Sequence, residues 1–263
     1  ILWIPLGYKK SQCSYQGFWV SYQKVPSFIV TLAGLMIWRG VLLILTQGYT
    51  IAPLKPDFQF IGAGFLSKSV GNLALIGAIA LIIGLTFLDR QNMRKYEIPL
   101  PKISTTILST GLLIAFMILF VRVLNGYKGI PVPVAVLTLL AVLFNWIMSQ
   151  TTYGRSIYAI GGNSEAARLS GINIKRNLLL AFMIMSALSA IAGALMTSRM
   201  NAAAPTSGTG MEMDAIASAV LGGTSLSGGV GTITGGILGA VIMASVENGM
   251  SLFNINSYYQ VIV

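Results

Sequence analysis

The chain has 263 residues, of which 9% are charged and 55% hydrophobic, with a formal net charge of +10 and no histidine. A water-soluble domain carries roughly 25% charged residues, so this composition excludes an ordinary soluble fold and points to lipid as the solvent. The basic residues stand between apolar blocks rather than in one patch, which excludes nucleic acid as a partner, and the single cysteine, Cys13, excludes an intrachain disulfide and a cysteine-based metal site.

In chain order, the first residues are apolar only to Ile4 and are interrupted by Tyr8-Lys9-Lys10-Ser11-Gln12, too early for a signal peptide or a span. Apolar blocks then follow at about 27–45, 70–88, 103–121, 130–149 and 178–197. Each is close to the roughly 20 residues that a helix needs to cross a bilayer. Helix is the expected conformation, because a lone strand in lipid would leave its backbone unpaired. The expected fold is therefore all-α: a polytopic helical bundle forming a single transmembrane domain over residues 1–263. The start at Ile1 and the apolar run that opens at residue 258 make both ends look cut.

Lysine and arginine set the orientation. Alternate connections carry Lys9, Lys10 and Lys24, then Arg90, Arg94, Lys95 and Lys102, then Arg155, Arg168, Lys175 and Arg176. The intervening ones carry Lys55 and Lys68, then Arg122 and Lys128, then Arg199. The first set has about twice as many basic residues and is placed in the cytoplasm.

The connection at residues 150–177 belongs to that cytoplasmic set. Asn163 or Ser164 can cap a helix there, Glu165 suits its positive end, and Gly171 is placed to stop it. Two turns are too few to be stable alone in water, so the helix must pack on this chain or on a partner. It reads equally as a knob that receives a push from a soluble motor or as an interfacial helix resting on headgroups.

Beyond Arg199 the pattern changes. Residues 201–210 are rich in Ala, Pro, Ser, Thr and Gly, residues 214–221 read as a helix too short to cross, and an uncharged glycine-rich stretch precedes a further apolar block at 231–252. A broken or re-entrant helix near 214–230 is the economical reading, and one long helix frayed at glycines is the alternative. Gly231, Gly235 and Gly239 recur every fourth residue, as do Gly236, Ala240 and Ala244, and Ser186, Ala190 and Ala194. This spacing packs helices closely, or builds a dimer seam.

The clear spans hold essentially no acid, whereas ion-coupled pumps place ionisable groups there. Arg39 is the basic residue inside a span and is expected to snorkel outward, with a role in the pathway as the alternative. No G-x-x-x-x-G-K-[ST] phosphate loop is present, so any nucleotide must be bound by another chain. No catalytic constellation, metal site or cofactor site is found. Thr31, Asn72, Asn145, Asn201 and Thr209 are neutral polar groups that suit a pathway for a hydroxylated solute. Helix–helix hydrogen bonding is the alternative for each.

Residues 161–172 (Gly-Gly-Asn-Ser-Glu-Ala-Ala-Arg-Leu-Ser-Gly-Ile) resemble the cytoplasmic loop of the ribose/xylose-type permeases of bacterial ABC sugar importers. So do residues 205–217 and 220–231, Val25-Pro26-Ser27-Phe28-Ile29-Val30-Thr31-Leu32, and Ser257-Tyr258-Tyr259-Gln260. Tyr127-Lys128-Gly129-Ile130-Pro131-Val132-Pro133 resembles the xylose and multiple-sugar branch. The resemblance implies a multi-pass permease of the bacterial inner membrane, working as a homodimer with a cytoplasmic ABC ATPase and an extracytoplasmic sugar-binding protein. Gly162, Asn163, Glu165, Ala166, Ala167, Arg168 and Gly171 would form the coupling element that docks on the ATPase. A monosaccharide, xylose or a related sugar, would be the cargo. A permease for another small solute, or a secondary carrier, is the alternative. The chain departs from the family at residues 1–16, at the spans expected before Gly17 and at a final span expected after Val263.

Overall fold

The computed structural model describes residues 15–69, 71–73, 75–77, 79, 103–126, 128–256 and 259. Among them the regular elements are all α-helices. These are α1 (residues 15–21), α2 (Ser27–Thr46), α3 (Pro56–Ala63), α4 (from residue 68, described to 79), α5 (Ile103–Gly126) and α6 (Val132–Gln150). There follow α7 (Thr152–Gly162), α8 (Ser164–Leu169), α9 (Ile174–Met200), α10 (Met211–Leu221) and α11 (Ile233–Leu252). Helices α2, α6, α9 and α11 are long and apolar enough to cross a membrane. The expected block at 70–88 is helical at its described residues, 71–73, 75–77 and 79, and the rest of it, with the basic residues from Arg90 to Lys102, lies outside the described residues.

Side-chain placement is inverted relative to a soluble protein. Among the described residues the buried hydrophobic side chains are Val121 and Ala167, while many large aliphatic and aromatic side chains of the long helices, among them Phe28, Ile44, Leu139, Trp146 and Leu238, are exposed. The buried positions of the long helices go to small residues, Gly34 in α2, Ser186 and Ser198 in α9, and Gly239 in α11. Lipid is as apolar as leucine, so burying leucine gains little there, and close approach through small residues holds helices together instead.

The chain divides into two compact units, Ile1–Leu54 with Leu137–Val263, and Lys55–Val136. In the first, α2 and α9 run parallel. Near their starts, Lys175 lies 5.4 Å from the ring centroid of Tyr22, and Gly17 of α1 packs on Leu179 and Phe182. Near their ends, Ile51 and Ala203 form an antiparallel bridge, and the Leu54 N–H donates to Asn201 Oδ1 at 2.9 Å. The 27 residues of α9 rise about 40 Å, more than the roughly 30 Å hydrocarbon core.

After α9 the chain turns back. Asn201 (φ 52°), Gly208 (φ 79°) and Gly210 (φ 91°) take left-handed conformations, and the reversal at Gly210 lets α10 start at Met211 rather than at the expected residue 214. Both Glu212 and Asp214 therefore fall in its first turn, where the dipole favours them. The C-terminus of α10 closes with a complete Schellman motif: the Gly223 N–H (φ 85°) donates to Val220 O at 2.9 Å and the Thr224 N–H to Ala219 O at 3.0 Å. A glycine-rich loop leads to α11, whose first turn is capped by Thr232 Oγ1 accepting from the Gly235 N–H at 3.0 Å. Helices α10 and α11 form an antiparallel pair with backbones in contact: a Cβ on Gly235 would overlap the Gly222 carbonyl, and one on Gly239 the Ser218 carbonyl. The segment is thus a broken helix.

Gly231 is the exception to the expected ladder. It precedes α11, and a Cβ on it would meet Thr224 at 3.0 Å. Helical spacing in the sequence could not tell it from Gly235 and Gly239, because the helix begins only once Thr232 can cap it.

In the second unit, Phe65 and Pro131 form an antiparallel bridge flanked by Leu66 N–H to Ile130 O (2.9 Å) and Val132 N–H to Gly64 O (3.0 Å). Lys128 lies 5.9 Å from the ring centroid of Phe65.

Candidate functional site

The site begins at the end of α6. Thr151 joins two helices through one hydroxyl, which donates to Ile147 O at 2.6 Å and accepts from the Gly154 N–H at 3.3 Å. A Cβ on Gly154 would overlap the Met148 backbone, so only glycine permits this sharp junction. Helix α7 follows. Sequence reading missed it, taking residues 150–162 as loop. The signal was present: Thr151 is an N-cap, and the exposed positions Thr152, Arg155, Ala159 and Gly162 recur at helical spacing. Tyr153 faces inward, and burial pushes its hydroxyl above the usual tyrosine value, so it stays neutral.

Asn163 ends α7 and starts α8. Its extended backbone (φ −156°) turns the chain, and its N–H donates to Ala159 O at 3.0 Å. Its side-chain Oδ1 accepts from the Glu165 and Ala166 N–H groups, both at 3.0 Å. Glu165 lies in the first turn and Arg168 in the last, each favoured by the dipole. They pair through two hydrogen bonds, Arg168 Nη2 to Oε1 at 2.5 Å and Nε to Oε2 at 3.2 Å. The carboxylate holds the Arg168 guanidinium above its already high ordinary value. Both side chains are mostly exposed, so the pair orients the surface more than it stabilises the helix.

Gly171 (φ 82°) stops α8 with a second complete Schellman motif, its N–H donating to Arg168 O at 3.0 Å and the Ile172 N–H to Ala167 O at 3.1 Å. Of the expected coupling residues, Gly162, Asn163, Glu165, Ala166, Arg168 and Gly171 are exposed, and Ala167 is buried as the anchor. Asn173 then caps α9 by accepting from the Arg176 N–H at 3.1 Å. The result is a six-residue helix, capped at both ends and held between two longer ones.

The expected pathway residues are not gathered into one pocket. Thr31 donates back to Ser27 O (2.9 Å) within α2. Asn72 accepts from Asn125 Nδ2 at 2.9 Å in the second unit. Asn145 is exposed on α6. Asn201 and Thr209 are both on the turn after α9. There Asn201 accepts from Leu54, and Thr209 Oγ1 accepts from Arg39 Nη2 at 2.5 Å while donating to Thr206 O at 2.8 Å. Arg39 therefore turns to a partner on its own chain. No local pattern signals this, because the two residues are 170 apart in sequence.

A family model described as "Branched-chain amino acid transport system / permease component" matches residues 15–263. The xylose transport system permease protein XylH of Escherichia coli K12 is 44% identical over 252 residues, covering 95% of this chain and 64% of that protein. XylH of Haemophilus influenzae is 41% identical, covering 95% of this chain and 66% of that protein. The ribose import permease protein RbsC of Bacillus subtilis is 32% identical, covering 94% and 58%. The chain thus spans a little under two thirds of the length of these curated relatives. No solved structure matches. With the family model matched along almost the whole chain and four helices among the described residues able to cross a bilayer, the protein is a multi-pass inner-membrane protein that belongs to the branched-chain amino acid transport system / permease component family.

Proposed function

We propose that the chain is the membrane-spanning permease of an ATP-driven ABC importer that carries a monosaccharide, xylose or a related sugar, into the cytoplasm by alternating access. A separate cytoplasmic ATPase hydrolyses the nucleotide and docks on α8, an extracytoplasmic sugar-binding protein delivers the solute, and a second copy of the permease completes the pathway. The observation that carries this reading is α8 itself. It is capped at both ends, exposes all but Ala167, and stands on the basic side between two membrane helices. Such a helix is rigid enough to receive a push and too short to fold without its neighbours, and an exposed helix face is what a groove on a partner engages. The likeness to xylose and ribose permeases supports the choice of an aldopentose.

The test is reconstitution of the complete importer containing this permease in vesicles. Labelled xylose should accumulate only when ATP and the ATPase are both present. Unlabelled ribose or another sugar that competes better would replace xylose as cargo. Uphill accumulation without the ATPase would refute the reading.

A further inference from the structure

The coupling helix α8 has a small grip on its neighbours, because Ala167 is its one buried side chain. α8 packs on both α7 and α9, and one route for whatever is pressed onto it runs through Asn163 into α7, since that residue caps both. The inward face of α7 meets the glycine-rich loop between α10 and α11. A Cβ on Gly161 would overlap Gly229 N, and one on Gly228 would lie 2.8 Å from Gly161 O. Gly228 (φ 89°) and Gly229 (φ 77°) are left-handed, which presents the loop backbone flat to the helix. Beside this contact the Tyr158 hydroxyl, part-buried, donates to Gly231 O at 2.7 Å.

We infer that the loop at residues 222–231 carries the movement of α8 into the membrane, and that Tyr158 is the positioning residue that latches it to α7. This rests on the importer reading above. Two kinds of force are served. The Gly161–Gly229 contact is backbone on backbone, with no side chain to yield, so it transmits a push. The Tyr158 hydrogen bond transmits a pull, and its partial burial strengthens it relative to one in water. The loop is stiff in turn. Ser225 N–H donates to Val230 O at 2.9 Å across its mouth, the Schellman motif fixes it to α10, and Thr232 fixes it to α11. Displacement of the loop therefore shifts the whole α10–α11 pair, whose far end is tied to α2 through Thr209 and Arg39. Coupling between distant sites needs such a contiguous set of rigid contacts.

The experiment compares Tyr158→Phe, Gly161→Ala and Gly249→Ala in the complete reconstituted importer, reading sugar accumulated per ATP hydrolysed. Tyr158→Phe keeps the ring and loses one hydrogen bond, and should lower this ratio about fivefold. Gly161→Ala favours the helix yet forces the loop away, and should lower it at least as much. Co-purification with the ATPase should be unchanged in both. Gly249→Ala has open space around its Cβ and should match the wild type. A purely structural role would reduce the amount of assembled importer and leave the ratio intact. An unaltered ratio in Tyr158→Phe, with a coupled wild type, overturns the inference alone. A wild type without ATP-driven uptake overturns the importer reading and this inference with it.

Discussion

Asn163 holds the chain's sharpest local decision, because one side chain and one backbone group end α7 and begin α8. Replacing it with alanine removes the acceptor for two N–H groups, at a cost of about 1 kcal/mol. A helix of six residues has little intrinsic stability to absorb that loss. Asn163→Ala should therefore weaken co-purification of the ATPase and lower uptake several-fold, while Asn163→Asp, an equally good cap, should retain most of both. Equal uptake by the alanine variant would remove the cap from any account of docking. Capping was legible in the sequence because its chemistry is local: Asn163, Glu165 and Gly171 lie within nine residues. The Arg39–Thr209 hydrogen bond was not legible, since Arg39 is recognised as partnered only once the turn after α9 brings Thr209 to it.

At the scale of elements, the α10–α11 pair shows what spacing can and cannot say. Two rows of small residues recur along residues 231–244, and sequence gave no means to choose between them. The structure buries the row containing Gly235 and Gly239 against α10, while a Cβ on Gly236 meets nothing within 4 Å. Gly239→Ala should therefore destabilise the protein by about 1–3 kcal/mol through overpacking. Gly236→Ala should be neutral or stabilising by up to about 1 kcal/mol through helix propensity. Thermal denaturation in detergent reads both, and a Gly239→Ala midpoint at or above the wild type would refute the contact. Helix α7 escaped sequence reading for a related reason. Four of its 11 residues are exposed and the rest are at least partly covered, so it shows neither the uninterrupted apolar run of a span nor the polarity of a loop.

For the whole molecule, the fold class was legible because lipid demands long uncharged helices, and the relatives found include the xylose and ribose permeases that residues 161–172 resemble. The path beyond Arg199 was not legible. No charged residue stands between Asp214 and Glu247, so the positive-inside rule has nothing to count there. Contacts supply what charge does not. The loop at 222–231 lies against α7, so the broken segment returns the chain to the side on which α9 starts. The parallel course of α2 and α9 makes a further prediction. In a Cys13→Ser background, a cysteine at Gln47 should react with an impermeant reagent from outside, and one at Ser170 from the cytoplasm only. Labelling of both from one side would contradict the arrangement.

Ala167 is the one buried side chain of α8, whose ends are fixed by Asn163 and Gly171, and the other side chains of that helix face outward. On the docking role proposed above, stability and recognition are therefore written in different residues. The outer face can be rewritten, by drift or by engineering, without reopening the question of whether the protein folds. On the importer reading proposed above, transplanting that face between permeases is a route to changing which motor drives which cargo.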